Sequence, residues 1–241
     1  MRKFGLIGYP LTHSFSKKYF TEAFQREGID AVYENFPIPS ISEFPGLIRK
    51  EMPEGINVTI PYKEAVIPYL DEITETVKEI GACNCISIKN GRSKGYNTDV
   101  IGFEVSLKKK LASIHNKAMV LGTGGAAKAV CYVLDKLDIP YIIVSRTLKP
   151  GQYSYASITP ELLEDHKLII NTTPLGMYPK VNDCPDLPYE AIGPRHYLYD
   201  LVYNPDQTLF LQKGENNGAI TANGYDMLLI QADESRKIWA I

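Results

Sequence analysis

The 241-residue chain is poor in cysteine, has almost no net charge and contains no long apolar run, and each shortage removes a class of protein. Four cysteines, Cys83, Cys85, Cys131 and Cys184, are too few and too scattered to staple a chain of this length, so a disulfide scaffold is excluded. The Cys83-Asn84-Cys85 pair lacks two further ligands, and His13, His115, His166 and His196 show no paired metal-ligand spacing. The cysteines therefore read as buried and reduced, and no metal is expected. Twenty-six basic residues against 28 acidic ones give a net charge of -2, without the positive field on which non-specific nucleic-acid binding draws. No segment approaches the roughly 18 apolar residues of a membrane span. Met1-Arg2-Lys3 passes directly into a strand-like Phe4-Gly5-Leu6-Ile7-Gly8 rather than a signal-peptide core, so a cytoplasmic protein is expected, with neither nucleic acid nor membrane as partner.

What is present is ordinary globular material: 44% hydrophobic and 22% charged residues, in a chain sized for one large or two modest domains. The first hundred residues alternate strand and helix signals. Lys3 to Gly8 reads as a strand, and Ser16 as the N-cap of a helix with Tyr19, Phe20, Ala23 and Phe24 on one face and Gly28 as its stop. Ala31 to Phe36 and Ile56 to Ile60 read as strands, Thr76 to Glu79 has capping-box spacing, and Asn90-Gly91 joins two strands as a tight hairpin. Past Asp99, Phe103, Leu107, Leu111 and Ile114 recur at helical spacing. An apolar strand, Ala118 to Leu121, then enters a glycine turn followed by a helix with Ala127, Val130, Leu134 and Leu137 on one face, and by a strand from Tyr141 to Ser145. Leu168 to Thr172 and Tyr197 to Val202 read as buried strands, with helices over about 205–216 and 225–239. This alternation predicts a parallel sheet covered on both faces.

The glycine turn carries the first chemistry. In Gly122-x-Gly124-x-x-Ala127 the first glycine permits the turn, the second lets backbone approach a pyrophosphate, and the small third residue lets helix pack on strand. Where NAD-binding proteins place an acid for the ribose hydroxyls, this chain has Val144-Ser145-Arg146-Thr147. A guanidinium cannot accept those bonds but can clamp a phosphate, which favours NADP. In the other half, Ser16 and Asp99 taken singly read as helix caps, Asn57 and Asn84 as turn or strand-edge residues, and Lys63 as a surface cation. Beside a nicotinamide-binding half, Ser14, Ser16, Asn57, Thr59 and Asn84 suggest neutral donors for a polyhydroxylated substrate, and Lys63 with Asp99 a proton-transfer pair.

An ordered set of motifs extends these readings along the chain: Gly8-Tyr9-Pro10 with His13-Ser14-Phe15-Ser16, Asn57-Val58-Thr59-Ile60-Pro61-Tyr62-Lys63, Gly81-Ala82-Cys83-Asn84, Asn97-Thr98-Asp99, Asn171-Thr172-Thr173-Pro174-Leu175-Gly176-Met177, Asp200-Leu201-Val202-Tyr203-Asn204-Pro205, and Asn223-Gly224 with Gln231. With them the chain resembles the shikimate dehydrogenase family from Gly5 to about Trp239. The resemblance implies an α/β protein: an N-terminal α/β substrate domain (1–100, completed by 224–241) and a Rossmann-like doubly wound parallel-sheet NADP domain (101–223). It implies reversible NADPH-dependent reduction of 3-dehydroshikimate to shikimate, on the route to chorismate and the aromatic amino acids, by a monomer or homodimer. By motif position, Lys63 and Asp99 are the catalytic pair, and Ser14 and Ser16 bind the substrate carboxylate. Asn57, Thr59, Asn84, Tyr203 and Gln231 hold its other oxygens, while Gly122, Thr123, Gly124, Gly125, Ala126, Arg146, Thr147, Thr173, Gly224 and Glu75 contact NADP. Ser145 and Pro150 depart from the family pattern close to the implied adenosine phosphate, and the stretch from Thr147 to Lys167 is shorter than the usual helical crossover, so a trimmed nucleotide domain is expected. Two other readings remain open: a quinate/shikimate dehydrogenase using NAD, which Arg146 argues against, and a non-catalytic nucleotide sensor, which the presence of Lys63 and Asp99 argues against.

Overall fold

The computed structural model describes residues 1–11, 15–147 and 149–241. It divides into two compact units, Met1–Thr98 with Gln231–Ile241, and Asp99–Ile230. The second division falls at Gln231, where the sequence suggested 224, because the final helix runs unbroken from Tyr225 to Trp239 and contributes to both units.

The first unit contains β1 (Arg2–Gly8), α1 (Phe15–Glu27), β2 (Ala31–Pro37), α2 (Phe44–Glu51), β3 (Gly55–Val58), β4 (Glu72–Ile73), α3 (Glu75–Ile80), β5 (Cys85–Lys89) and β6 (Arg92–Tyr96). The strands form one sheet in the order β2-β1-β3-β5-β6-β4. β1 runs parallel to β2 and β3, with Leu6 opposite Asn57, and β5 runs antiparallel to β3 and β6. Alternation sends successive side chains to opposite faces. Phe4, Leu6 and Cys85 join Phe20, Phe24 and Trp239 on one face, while Ile7, Ile56 and Ile86 join Phe44 and Val77 on the other. Gly55 makes room for Trp239: a Cβ there would lie 2.3 Å from the indole Nε1, which donates to the Ile86 carbonyl at 2.9 Å.

Several local expectations are corrected here. Helix α1 begins at Phe15, so Ser16 lies inside its first turn rather than capping it. The capping residue of α3 is Thr74, whose side chain accepts from the Val77 N–H, not Thr76. Strand β3 stops at Val58 because the chain turns at once, the Thr59 carbonyl accepting the Tyr62 N–H at 2.9 Å. The Asn90-Gly91 hairpin has both residues at positive φ, 53° and 75°, the demand that selects this dipeptide.

The second unit contains α4 (Asp99–Lys108), β7 (Ala118–Leu121), α5 (Gly125–Lys136), β8 (Tyr141–Val144), α6 (Pro160–Asp165), β9 (Leu168–Asn171), β10 (Tyr197–Asp200), α7 (Leu209–Asn216), β11 (Ile220–Ala222) and α8 (Tyr225–Trp239). Its five strands pair in parallel in the order β8-β7-β9-β10-β11. Counted from β7, that is 2-1-3-4-5, a doubly wound sheet whose order reverses between β7 and β9. Among the described residues it is also the six-stranded Rossmann order without its outermost strand. Among the described residues, only Tyr153 pairs with β8 on that side, its N–H donating to the Ile143 carbonyl and its carbonyl accepting from the Ser145 N–H, each at 2.9 Å. Met119, Leu121 and Leu198 pack with Leu163 of α6 and Phe210 of α7. The Phe103 ring meets Tyr199 edge-on at 5.2 Å, bringing α4 onto β10.

Three elements are shorter than expected. Helix α4 ends at Lys108, leaving Leu111 and Ile114 outside it, because the His115 ring accepts the Ala112 N–H at 3.0 Å and starts a separate turn. Strand β10 stops at Asp200, whose own carboxylate accepts the Val202 N–H at 3.0 Å in place of a ladder bond. Helix α7 starts at Leu209 rather than near 205 because Thr208 caps it.

Candidate functional site

In the first unit, several of the expected substrate residues belong to one polar network. Asn57 lies on β3, buried between the aromatic layer and α8. Its Oδ1 accepts from the Tyr33 hydroxyl at 2.8 Å, and its Nδ2 donates to the Asn84 carbonyl at 3.3 Å and to Ser235 Oγ at 2.9 Å. Ser16 is hydrogen-bonded to the same Tyr33 phenol, which burial holds well above its ordinary pKa and hence neutral. Asn84 Oδ1 accepts the Thr98 N–H at 2.7 Å, its Nδ2 donates to Thr98 Oγ1 at 3.0 Å, and the Thr98 hydroxyl lies 3.4 Å from Gln231 Oε1. Ser16, Asn57, Asn84 and Gln231 are thus linked through Tyr33, Thr98 and Ser235.

Thr59 and Lys63 stand beside this network on the loop after β3. Gly8 leaves space for Thr59, since a Cβ there would fall 2.5 Å from the Thr59 methyl. Lys63 is half-buried and its backbone is fixed on both sides: the preceding Tyr62 hydroxyl donates to the Ile38 carbonyl at 2.6 Å, and the Lys63 carbonyl accepts the Cys83 N–H at 2.7 Å. Ser14 lies outside the described residues. Glu75, expected among the cofactor residues, lies in this unit on the exposed first turn of α3, paired with Lys78 at 3.2 Å.

In the second unit, the C-terminal ends of β7, β9 and β10 carry most of the expected cofactor residues. Gly122 has φ 112°, and a Cβ there would fall 2.6 Å from Thr172 Oγ1, so turn geometry and crowding both require glycine. Gly124 is the N-cap of α5, has open space where a Cβ would stand, and offers no capping side chain. The first N–H groups of the helix are therefore available to an anion, and Ala127 is buried where helix meets strand. Arg146 and Thr147 are exposed just after β8. Thr173 follows β9, its N–H and hydroxyl both donating to Asn171 Oδ1, at 3.0 and 2.7 Å. Gly224 crosses so close to β10 that a Cβ would lie 2.1 Å from the Leu201 carbonyl oxygen. Asp99 is buried in the first turn of α4, and Tyr203 is partly exposed beyond β10.

Beneath these loops lies a residue to which sequence reasoning gave no part. Asp200 is fully buried and accepts from Asn171 Nδ2 at 2.9 Å, the Val202 N–H and Thr208 Oγ1 at 2.6 Å. Burial pushes its carboxyl up to about 6 against the pull of those three donors. Thr98, Asn171 and Asp200 sit inside recognised motifs, but Tyr33, Thr208 and Ser235 do not, and only the folded chain shows their connection. Among the described residues, no group of three or more His, Cys, Asp or Glu side chains is placed to hold a metal, and no helix is long and apolar enough to cross a membrane.

A doubly wound parallel sheet, with an uncapped glycine-turn helix where its strand order reverses, defines the dinucleotide-binding class of α/β proteins. The companion unit narrows the class, for residues 6–86 match the model of the shikimate dehydrogenase substrate binding domain. The chain belongs to the shikimate dehydrogenase family. It is 38% identical to a shikimate dehydrogenase (NADP(+)) of Caldanaerobacter subterraneus subsp. tengcongensis, with 98% of this chain and 90% of the relative covered. The crystal structure of shikimate dehydrogenase from Aquifex aeolicus superposes with TM-score 0.89 at 35% identity, covering 99% of this chain and 92% of that one. The Thermus thermophilus enzyme, solved in complex with NADP(H) and shikimate, gives TM-score 0.87 at 28% identity, covering 99% and 93%.

Proposed function

We propose that the protein is an NADP-dependent shikimate dehydrogenase, catalysing the reversible reduction of 3-dehydroshikimate to shikimate. The observation that carries this is the 38% identity across 98% of the chain to a relative of that activity. The substrate would be bound by the unit of Met1–Thr98 with Gln231–Ile241, and the nucleotide by the unit Asp99–Ile230. The glycine turn, with its space at Gly124 and open N–H groups, fits a dinucleotide pyrophosphate. Gly122, Thr123, Gly124, Gly125 and Ala126 would hold it, with Thr147, Thr173, Gly224 and Glu75 against other parts of the cofactor and Arg146 on the 2′-phosphate.

When bound, reduced NADP supplies a hydride to the ketone carbon. The chain must then stabilise and protonate the oxygen on which negative charge develops. Lys63 gives that proton and takes it back in the oxidative direction, with Asp99 as the second member of the catalytic pair. Ser14 and Ser16 bind the substrate carboxylate, while Asn57, Thr59, Asn84, Tyr203 and Gln231 hold the hydroxyls. In Asn57 the network already uses both Nδ2 hydrogens, so what it offers a substrate hydroxyl is the second acceptor site of Oδ1. The partners are these small molecules rather than nucleic acid or membrane, and the protein acts in the cytoplasm as a monomer or homodimer.

The test is near-ultraviolet absorbance of the reduced nicotinamide, with shikimate or quinate as substrate and NADP or NAD as oxidant. Shikimate with NADP gives the highest kcat/KM. Faster turnover of quinate with NAD would replace this reading by the quinate/shikimate dehydrogenase one.

A further inference from the structure

We propose that Asp200 is a positioning residue which, through Asn171, fixes Thr173 in the cofactor site; the inference rests on the reading above that NADP binds where β7 and β9 end. The two ends of an asparagine amide are nearly isosteric, so a neighbour must decide which end faces which way. Asp200 decides it. An ionised carboxylate only accepts, so it meets the Asn171 Nδ2 end at 2.9 Å and obliges Oδ1 to face the other way. That oxygen takes both the Thr173 N–H at 3.0 Å and the Thr173 hydroxyl at 2.7 Å. With its hydrogen committed to Asn171 and one acceptor site taken by the Leu175 N–H at 3.3 Å, the half-buried Thr173 oxygen keeps an acceptor site for a donor on the dinucleotide, such as a ribose hydroxyl.

The same carboxylate holds two other elements. Its Oδ1 also accepts the Val202 N–H at 3.0 Å, shaping the turn that leads to Tyr203, and its Oδ2 accepts from Thr208 Oγ1 at 2.6 Å, whose oxygen caps α7 by accepting the Leu211 N–H. Asn171 and Asp200 thus end neighbouring parallel strands in the same way, each side chain accepting the N–H two residues on, and the bond between them ties the two turns together. A carboxamide at 200 can present N–H₂ as readily as oxygen and removes the obligation on Asn171. A helix cap alone would need only the Thr208 branch.

NADP affinity of the full chain by titration calorimetry, with KM for shikimate measured alongside, separates the roles. D200N weakens NADP binding about tenfold, the scale of one hydrogen bond to a ligand, while KM for shikimate stays within about twofold. T173V weakens NADP binding by a similar factor, and the D200N/T173V double variant is no more than about twofold weaker than T173V alone, since both break one chain of bonds. T208V cuts only the α7 branch, so it lowers the melting temperature but leaves NADP affinity within about twofold of wild type. If D200N does not fold, N171A reads the same chain one link closer to the cofactor. Wild-type NADP affinity in D200N, or in N171A where D200N cannot be read, overturns the proposal, as do additive effects in the double variant. Wild-type chain that binds NADP without oxidising shikimate would refute the proposed reaction and leave the Asp200 test intact.

Discussion

Lys63 is held from its backbone outward, by the Tyr62 anchor on one side and the Cys83 N–H on the other, and this suits a group that must present an amine repeatedly to one oxygen. K63M should lower kcat by about a hundredfold or more while KM for shikimate changes little, the range for loss of a general acid. Near-normal turnover would remove Lys63 from the mechanism. Asp200 makes a prediction of a different kind. Its folded-state pKa, raised to about 6 from 3.8, means that the unfolded chain releases this proton before the folded one, so the group costs stability as pH rises through that window. Relative to wild type, D200N should therefore gain on the order of 3 kcal/mol between about pH 3.5 and pH 6.5 in denaturant titrations. A stability difference independent of pH would show that Asp200 titrates normally. At this scale the sequence was legible where a residue meets a backbone demand of its own, as Gly122 and the Asn90-Gly91 pair do at positive φ. Tyr33, Thr208 and Ser235 were not legible, because their part is to hold another side chain contributed by a distant stretch of chain.

Elements were legible when their signal was periodic and long. The strand–glycine turn–helix from Ala118 onward and the final helix, Tyr225 to Trp239, follow their apolar spacing closely. Strands β4 and β11, of two and three residues, were invisible because no period can be read in so few positions, and they exist through their pairing with β6 and β10. Element ends were set by side chains competing for backbone: Asn171 and Asp200 close β9 and β10, Thr208 opens α7, and the His115 ring follows α4. Close contacts between elements depend on the same local detail. In G55A the new methyl would have to displace Trp239 from β3 and from the Ile86 carbonyl, and overpacking of this sort costs about 1–3 kcal/mol. A denaturant midpoint for G55A equal to that of wild type would show that the indole has room to move.

At the scale of the whole molecule, the parallel sheet of the second unit ends on one side at β8. Among the described residues, β8 is an edge strand bordered only by the Tyr153 segment, where a six-stranded Rossmann sheet carries a further strand. The strand ends at the centre of the sheet carry the glycine turn, Thr173 and Asp200. A protein of this family should be an enzyme, and the competing reading is a nucleotide sensor that keeps the fold without the reaction. The direct measurement is NADPH absorbance after 3-dehydroshikimate is added to the full-length chain. The account predicts loss of NADPH equal to the shikimate formed, slowed about a hundredfold or more in K63M; NADPH that binds but is not consumed would contradict it.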